Sequence, residues 1–264
     1  MKKFLVIVFS ILFFSQYSPN CFCEESVIVE PSTWARLNDI YFENIRLSKA
    51  DTFVGYTQIR SGMSSLTNHI ESYAVIRAAM DTRTLLGTMA DVYNDNFLFV
   101  GAGFDYLGFL PGVRLTAQAG ASMDLSSKIH QGGLDYRFGS QSYHEIRWNE
   151  GLKSEIYSEA LYFRRYSNFL TALQFRTIYS LAHWKFGAHS MDLGPLATLV
   201  GSLDSEGLDY NRFAEVRLGA RLTLQGPFTF ALSPYYVIGG RWARPTDLAN
   251  YADFRVLLSG SISL

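Results

Sequence analysis

Histidine–serine pairs are the residues of this sequence best suited to acid–base chemistry, because a serine hydrolase needs a hydroxyl within reach of an imidazole base. Ser142 and His144 are two positions apart and would share one face of a strand, whereas His189 and Ser190 are adjacent and would face opposite ways. Neither spacing fixes the geometry of a triad. We therefore predict no catalytic residues, and a hydrolase with His144 or His189 as its base is the alternative.

Metal-binding residues are weaker candidates. His183 and His189 are six positions apart, which matches none of the usual zinc spacings. Asp204, Glu206 and Asp209 lack the ligand order of a calcium loop and are typical of a solvated turn. The sequence predicts neither a metal site nor a cofactor.

Polar residues at every second position form the most extensive pattern. Between Val113 and Leu125 the odd-numbered residues are apolar and most even-numbered ones are polar. Side chains of a strand alternate between two faces, so this segment predicts a strand with one apolar and one polar face. It is longer than most globular strands and suits a tilted strand that crosses a bilayer. The pattern returns in Tyr210–Leu224 and in Asp253–Leu264.

A barrel in a membrane turns its apolar faces to lipid and its polar faces to the lumen. Two interpretations of the polar faces are open: the charges pair as a structural ladder, or they line a channel or ligand track. The ladder is favoured because both signs alternate and would neutralise one another. The charged residues predicted to face the lumen are Asp105, Arg114, Asp124, Asp135, Arg137, Arg176, Glu215, Arg217, Arg221 and Arg255.

The N-terminal segment has the features of a secretory signal peptide. Lys2 and Lys3 precede an apolar run, Phe4–Phe14, that is too short for a transmembrane helix. Cys21 and Cys23 occupy the small-residue positions before the predicted cleavage site, so the mature chain would contain no cysteine. A lipoprotein acylated at Cys21 is the competing interpretation.

The amino-acid composition limits the class of protein further. The 23 basic and 24 acidic residues nearly balance, which gives no indication of a nucleic-acid partner. The 16 tyrosines and 20 phenylalanines suit a β-barrel with aromatic girdles, although a soluble β-sandwich would also be rich in aromatic residues. After the signal, the sequence contains no apolar run long enough for a membrane-spanning helix.

These patterns predict an all-β fold, a transmembrane antiparallel β-barrel of about 12 strands, within a range of roughly 10 to 14. The predicted domains are a signal peptide at 1–23, an N-terminal periplasmic or irregular segment at 24–51 and the barrel at 52–264. Within the second of these, Pro31–Lys49 is either a short periplasmic amphipathic segment or an irregular first strand, and the sequence does not separate the two. Within the barrel, Ser140–Lys153 is predicted to be a long exposed loop. A secreted β-sandwich that binds a ligand is another alternative, since it shows the same alternation with its apolar face inward.

The last segment, Phe254–Leu264, predicts a closing strand. Outer-membrane barrels commonly finish on an amphipathic strand that the assembly machinery recognises, usually with a terminal aromatic residue, whereas the last residue here is Leu264. We expect the barrel assembly machinery, outer-membrane lipid and lipopolysaccharide as partners, and the outer membrane of a Gram-negative bacterium as the location.

Several of these segments resemble the C-terminal outer-membrane domain of the bacteriophage-adsorption protein A family. The stretches that carry the resemblance are DTRT (81–84), YNDNFLFVGAGFDY (93–106), LTAQAGASMDL (115–125), SEALYFRRYSNF (158–169), YNRFAEVRLGARLTLQGP (210–227) and YADFRVLLSGSISL (251–264). The resemblance implies a link to exopolysaccharide secretion and, for some members, use as a phage receptor. Members usually carry periplasmic helical repeats before this domain, which are absent here, so we expect a separate periplasmic helical-repeat partner.

The function expected from these observations is a non-enzymatic outer-membrane barrel that supports export or passage of surface exopolysaccharide and that phages exploit as a receptor. The polysaccharide itself is then a partner of the lumen. A barrel enzyme that hydrolyses lipid or lipopolysaccharide is the first alternative, and the secreted ligand-binding sandwich is the second.

Overall fold

The computed structural model describes residues 34–48, 51–65, 67–82, 96–125, 132–206, 212–242 and 248–263, and the predicted signal peptide lies outside them. A 3-10 turn, Arg164–Tyr166, interrupts the strands. No helix among the described residues is long and apolar enough to cross a membrane. The strands are β1 (Ala35–Leu47), β2 (Thr52–Ser65), β3 (Ile70–Asp81), β4 (Phe97–Leu110), β5 (Val113–Asp124), β6 (Gly133–Arg147), β7 (Leu152–Phe163), β8 (Asn168–Tyr179), β9 (Ala182–Phe186), β10 (His189–Asp204), β11 (Phe213–Gln225), β12 (Phe228–Trp242) and β13 (Leu248–Ser263).

Antiparallel pairing closes these strands into a barrel. Residues 39–47 of β1 pair with residues 255–263 of β13, which joins the two ends of the sheet. The short strand β9 pairs with residues 189–193 of β10, whereas β8 pairs with residues 196–204 of the same strand. Because β8 and β9 share the edge of β10, the barrel has a circumference of 12 strands. This closed sheet confirms the predicted fold class and excludes the two-sheet sandwich.

Burial alternates along the strands in the sense expected for a membrane protein. In β3, Glu71, Arg77 and Asp81 are buried on the inner face, while Ile76 and Met80 on the outer face are 46% and 42% exposed. An apolar outer surface around a polar interior is stable in lipid, where the closed sheet also satisfies every ladder hydrogen bond. The strands therefore cross a membrane.

The two ends of the barrel differ in the lengths of their connections. At the end where β1 begins and β13 ends, residues 111–112 and 226–227 join neighbouring strands as tight turns. At the opposite end, longer segments such as 82–96 and 205–212 separate the strands. Short periplasmic turns and longer extracellular loops are characteristic of outer-membrane barrels, which agrees with the predicted location.

The barrel begins before the predicted boundary at residue 52, because residues 35–47 form strand β1, which decides for a first strand over a periplasmic segment. Asn38 and Asn44 lie on the outer face of β1 by register, opposite Ser61 and Gly55 of β2. Arg46 shares that face at the end of the strand. These polar outer residues hide the apolar alternation by which the other strands were recognised.

The predicted loop Ser140–Lys153 was wrong for a similar reason. β6 extends to Arg147, and a short turn leads into β7 at Leu152. Ser140, Ser142 and His144 occupy the outer face of β6, so its alternation is lost where the strand approaches the periplasmic end.

Candidate functional site in the lumen

Inner side chains of β1–β5 fill one half of the lumen with paired charges. Arg60 Nε donates to Asp39 Oδ1 at 3.0 Å, and Arg60 Nη1 donates to Asp105 Oδ2 at 3.0 Å and to Glu71 Oε2 at 3.4 Å. Arg114 also pairs with two of these carboxylates: its Nη1 lies 3.3 Å from Asp105 Oδ2, and its Nη2 lies 3.6 Å from Glu71 Oε2. Asp105 is only 1% exposed, and a carboxylate so buried needs cations and hydrogen bonds around it. The five side chains therefore form one ion network.

Tyr73 links this network to a second layer of polar side chains. Its hydroxyl donates to Asp105 Oδ1 at 2.8 Å and accepts from Gln118 Nε2 at 2.7 Å. Gln118 Oε1 accepts in turn from Arg77 Nη2 and from Arg137 Nε, the latter at 2.8 Å. The amide thus binds a hydroxyl with its nitrogen and two guanidinium groups with its oxygen.

Gln58 carries the second layer across the interior. Its Oε1, on β2, accepts from Arg77 Nη2 at 2.9 Å and from Arg137 Nη2, on β6, at 3.3 Å. In the described part of the chain, no carboxylate lies within 4.0 Å of either guanidinium group, and amide oxygens bind them instead. Since β2 and β6 do not pair, this contact fills the space between them.

The ion pairs of the opposite half follow the wall of the barrel. Arg217 Nη2 lies 2.6 Å from Glu215 Oε2, and Arg255 Nη1 lies 2.9 Å from Glu215 Oε1. Arg176 Nη1 lies 3.0 Å from Glu155 Oε2 on the neighbouring strand β7. Each of these contacts joins residues on the same strand or on strands close together in the sheet. The middle of this half is consequently left open.

A cavity of about 200 Å³ occupies the open half. Strands β1, β8, β11, β12 and β13 supply its walls, which carry hydroxyl, amide and guanidinium groups and one carboxylate. The polar lining residues are Tyr41, Glu43, Gln174, Arg176, Arg217, Arg221, Thr229, Ser259 and Ser261.

Arg221 and Arg176 have hydrogen-bonding capacity left over in this cavity. Arg221 Nε donates to Thr223 Oγ1 at 3.2 Å, and no carboxylate of the described residues lies within 4.0 Å of its guanidinium group. The Nε of Arg176 is buried and has no hydrogen-bond partner among the described residues. On the facing strand β1, Glu43 accepts the Tyr41 hydroxyl at 2.7 Å.

The residues predicted to face the lumen divide between these regions. Asp105, Arg114 and Arg137 belong to the filled half, and Arg176, Glu215, Arg217, Arg221 and Arg255 belong to the open half. Asp124 pairs with Arg165 near the extracellular end. Asp135 is half-buried opposite Gly120 of β5.

Sequence reasoning missed several residues of the lumen. Asp39, Tyr41 and Glu43 lie on strand β1, before the predicted start of the barrel at residue 52. Arg60 and Arg77 lie on strands β2 and β3, and extending the same alternation to those segments would have found them.

The Ser142 and His144 pair faces outward and shows no catalytic contact. Ser142 Oγ lies 2.7 Å from Ser158 Oγ of β7, and no hydrogen bond within the described residues joins it to His144. The imidazole packs instead beside Gly112, where an added Cβ would lie 2.6 Å from His144 Cε1.

His189 lies in an aromatic environment. Its ring centroid is 6.5 Å from that of Phe186 and 5.8 Å from that of Phe228, and its buried Nδ1 has no hydrogen-bond partner among the described residues. Ser190 points to the other face of β10. Within the described ranges, no group of three His, Cys, Asp or Glu side chains is placed to hold a metal ion.

No family model and no curated protein matches this chain. Among solved structures, it is similar to the β domain of the Bordetella autotransporter BrkA, with a TM-score of 0.45 and 14% identity over 86% of this chain and 99% of that chain. It is also similar to LpxR from Salmonella typhimurium, with a TM-score of 0.43 and 9% identity over 86% and 100% of the chains. For the KdgM porin the TM-score is 0.38 and the identity 10%, over 86% and 99%. Similarity at this level concerns the shape of the sheet and assigns no residue a role.

Proposed function

We propose that this outer-membrane barrel supports the export or passage of a surface polysaccharide through the open half of its lumen. The observation that carries the proposal is the cavity between β1, β8 and β11–β13, whose walls present hydroxyl, amide and guanidinium groups. Saccharides expose hydroxyl groups that donate and accept hydrogen bonds, so a wall of this chemistry replaces the water they lose.

The filled half gives this path a fixed wall. The network around Arg60 and Gln118 joins β1 to β6 through buried hydrogen bonds, which rigidify a polar interior when every member is satisfied. The open cavity is smaller than the roughly 300–1,000 Å³ of small-molecule pockets, so a single extended chain fits it better than a branched or folded ligand.

The resemblance to the bacteriophage-adsorption protein A domain supports the choice of an exopolysaccharide. By the same resemblance we propose that a periplasmic helical-repeat protein delivers the polymer to the short-turn end, and that phages bind the opposite end. The segments between strands at that opposite end are the longer ones, which favours surface recognition there.

Reconstitution of residues 24–264 into planar bilayers tests the proposal. We expect a small ionic conductance that oligosaccharides added to one side reduce reversibly, and loss of surface polysaccharide from cells in which the gene is deleted. A barrel that neither conducts nor responds to any oligosaccharide, in cells whose surface polysaccharide is unchanged, would overturn it. Release of fatty acid from lipopolysaccharide that disappears on His144→Ala or His189→Ala would establish the hydrolase instead.

A further inference from the structure

We propose that Arg221 and Arg176 form a binding site for an oxyanion inside the cavity, and that the polysaccharide served by this barrel is acidic. The inference rests on the proposed function, because it names the substrate class of the same lumen. The ligand group we assign is the carboxylate of a uronic-acid sugar.

Arg221 supplies the first half of the site. A guanidinium group has five N–H donors and a charge that persists at any physiological pH. In Arg221 the Nε donor is used by the neutral hydroxyl of Thr223, and no carboxylate of the described residues lies within 4.0 Å. Because Arg221 lines the cavity, its remaining N–H donors can reach a ligand that binds there.

Arg176 supplies the second half. Its Nη1 is bound by Glu155 at 3.0 Å, but its Nε is buried and finds no partner in the described part of the chain. An unpartnered donor at such a depth is uncommon in proteins and is usually met by a ligand or water. Arg221 lies near enough for its charge to interact with those of Arg176 and Glu155, so one carboxylate serves two guanidinium groups, and a further anion between the arginines would offset the repulsion that remains.

Comparison with the filled half shows that this arrangement is specific to the cavity. Arg77 and Arg137 also have no carboxylate within 4.0 Å among the described residues, but each donates to the amide oxygens of Gln58 and Gln118. Among the described residues, Arg221 has no such amide partner. The central arginines of the filled half therefore have amide oxygens as hydrogen-bond partners, whereas Arg221 in the open half has none among the described residues.

The other charges of the cavity define where the acid binds. Arg217 shares Glu215 with Arg255, and Arg255 is also bound by Asp253, so the charges of these two arginines are largely neutralised by the two carboxylates. Glu43 lies on the β1 side and would repel a carboxylate there. The acidic group therefore binds toward β8 and β11, and the hydroxyls of the sugar face Tyr41. A planar carboxylate accepts two parallel N–H bonds from a guanidinium group, which makes arginine well suited to it.

The test compares three probes against purified residues 24–264 in detergent and in bilayers: trigalacturonate, the neutral galactose trimer and inorganic phosphate. We expect trigalacturonate to bind at least about tenfold more tightly than the neutral trimer, and Arg221→Gln to remove at least about tenfold of its affinity, as for one charge-assisted contact. Arg77→Gln is the matched control, because it removes the same charge from the filled half. We expect it to change the affinity by less than about twofold. Faster unheated gel mobility verifies that each variant is folded.

The outcomes separate this inference from the proposed function. Equal losses for Arg221→Gln and Arg77→Gln would show a general lumen potential and overturn the site. Tight binding of the neutral trimer, unaffected by Arg221→Gln, would overturn the acidic substrate while supporting saccharide passage. Phosphate binding without trigalacturonate binding would identify an inorganic-anion site and overturn the substrate class. Failure of both trimers to bind or to reduce conductance would overturn the proposed function as well.

Discussion

The ring of Tyr73 lies against Gly103 of the neighbouring strand, in space that any side chain at that position would need. A Cβ on Gly103 would lie 2.3 Å from Tyr73 Cε2. The two residues are paired in the register of β3 and β4, and the glycine lets the ring lie along the inner wall. There the Tyr73 hydroxyl meets both Asp105 and Gln118, so the position of one ring holds two layers of the polar network together.

Gly103→Ala should displace the Tyr73 ring and weaken both hydrogen bonds of its hydroxyl. Overpacking a filled interior costs about 1–3 kcal/mol, and we expect a loss of that size in the free energy of unfolding. Urea titration in lipid vesicles, followed by tryptophan fluorescence, measures it. Gly201→Ala is the control, because a Cβ there would meet one backbone oxygen at an ordinary 3.9 Å. Equal effects of the two substitutions would contradict the role assigned to the ring.

Arg60→Met should destabilise the barrel more strongly, because it leaves the half-buried Asp39 with no other described cation within 4.0 Å and removes one of two arginines from the buried Asp105 and Glu71. Breaking a buried ion pair by removing one partner costs about 3–5 kcal/mol. The same urea titration measures the loss.

The control for Arg60 is Arg147→Met near the periplasmic end. Arg147 pairs with Glu145, but its side chain is 82% exposed, so the change should cost less than about 1 kcal/mol. A barrel that tolerates Arg60→Met as well as Arg147→Met would show that the network around Arg60 contributes little to stability.

Strands could be predicted from the sequence wherever the outer face contacts only lipid and all its residues are therefore apolar. Val113–Asp124 and Phe213–Gln225 have apolar outer residues throughout, and both were recognised from period-two alternation. β1 could not be distinguished from a periplasmic segment because Asn38 and Asn44 face outward, and a pattern based on apolar side chains does not register them. Alternation thus reports the environment of a strand, and it fails where that environment is locally polar.

Whether a charged side chain faces the lumen can be predicted from the local sequence, but the residue with which it pairs cannot. That Arg217 faces the lumen follows from the alternation of β11, whereas its contact with Glu215 and the contact of Arg60 with Asp105 depend on side-chain geometry and strand register. The cavity is harder still to predict from the sequence, since it exists where Arg221 has, among the described residues, none of the amide oxygens that bind Arg77. An unfilled space has no signature in a linear pattern.

Closure of the barrel by β13 predicts heat-modifiable gel mobility. Residues 24–264, refolded in detergent, should migrate faster unheated than boiled, because β13 bonds to both β12 and β1 and the closed sheet resists detergent. A variant that ends at residue 247 should lose the shift, since β12 and β1 would be left as open edges. A shift retained by the shortened chain would contradict closure through β13.

His189→Phe should leave the barrel at least as stable as the original protein. The imidazole packs between Phe186 and Phe228, and its Nδ1 is buried with no hydrogen-bond partner in the described residues. Phenylalanine keeps the aromatic contacts and removes the unpaired nitrogen, so we expect a change in the free energy of unfolding between zero and a gain of about 1 kcal/mol. His189→Ala is the comparison, because it deletes the ring and should cost about 1 kcal/mol or more. If His189 were instead a catalytic base, both variants would lose a lipid-hydrolysis activity that the unaltered barrel shows, and that result would contradict the packing role.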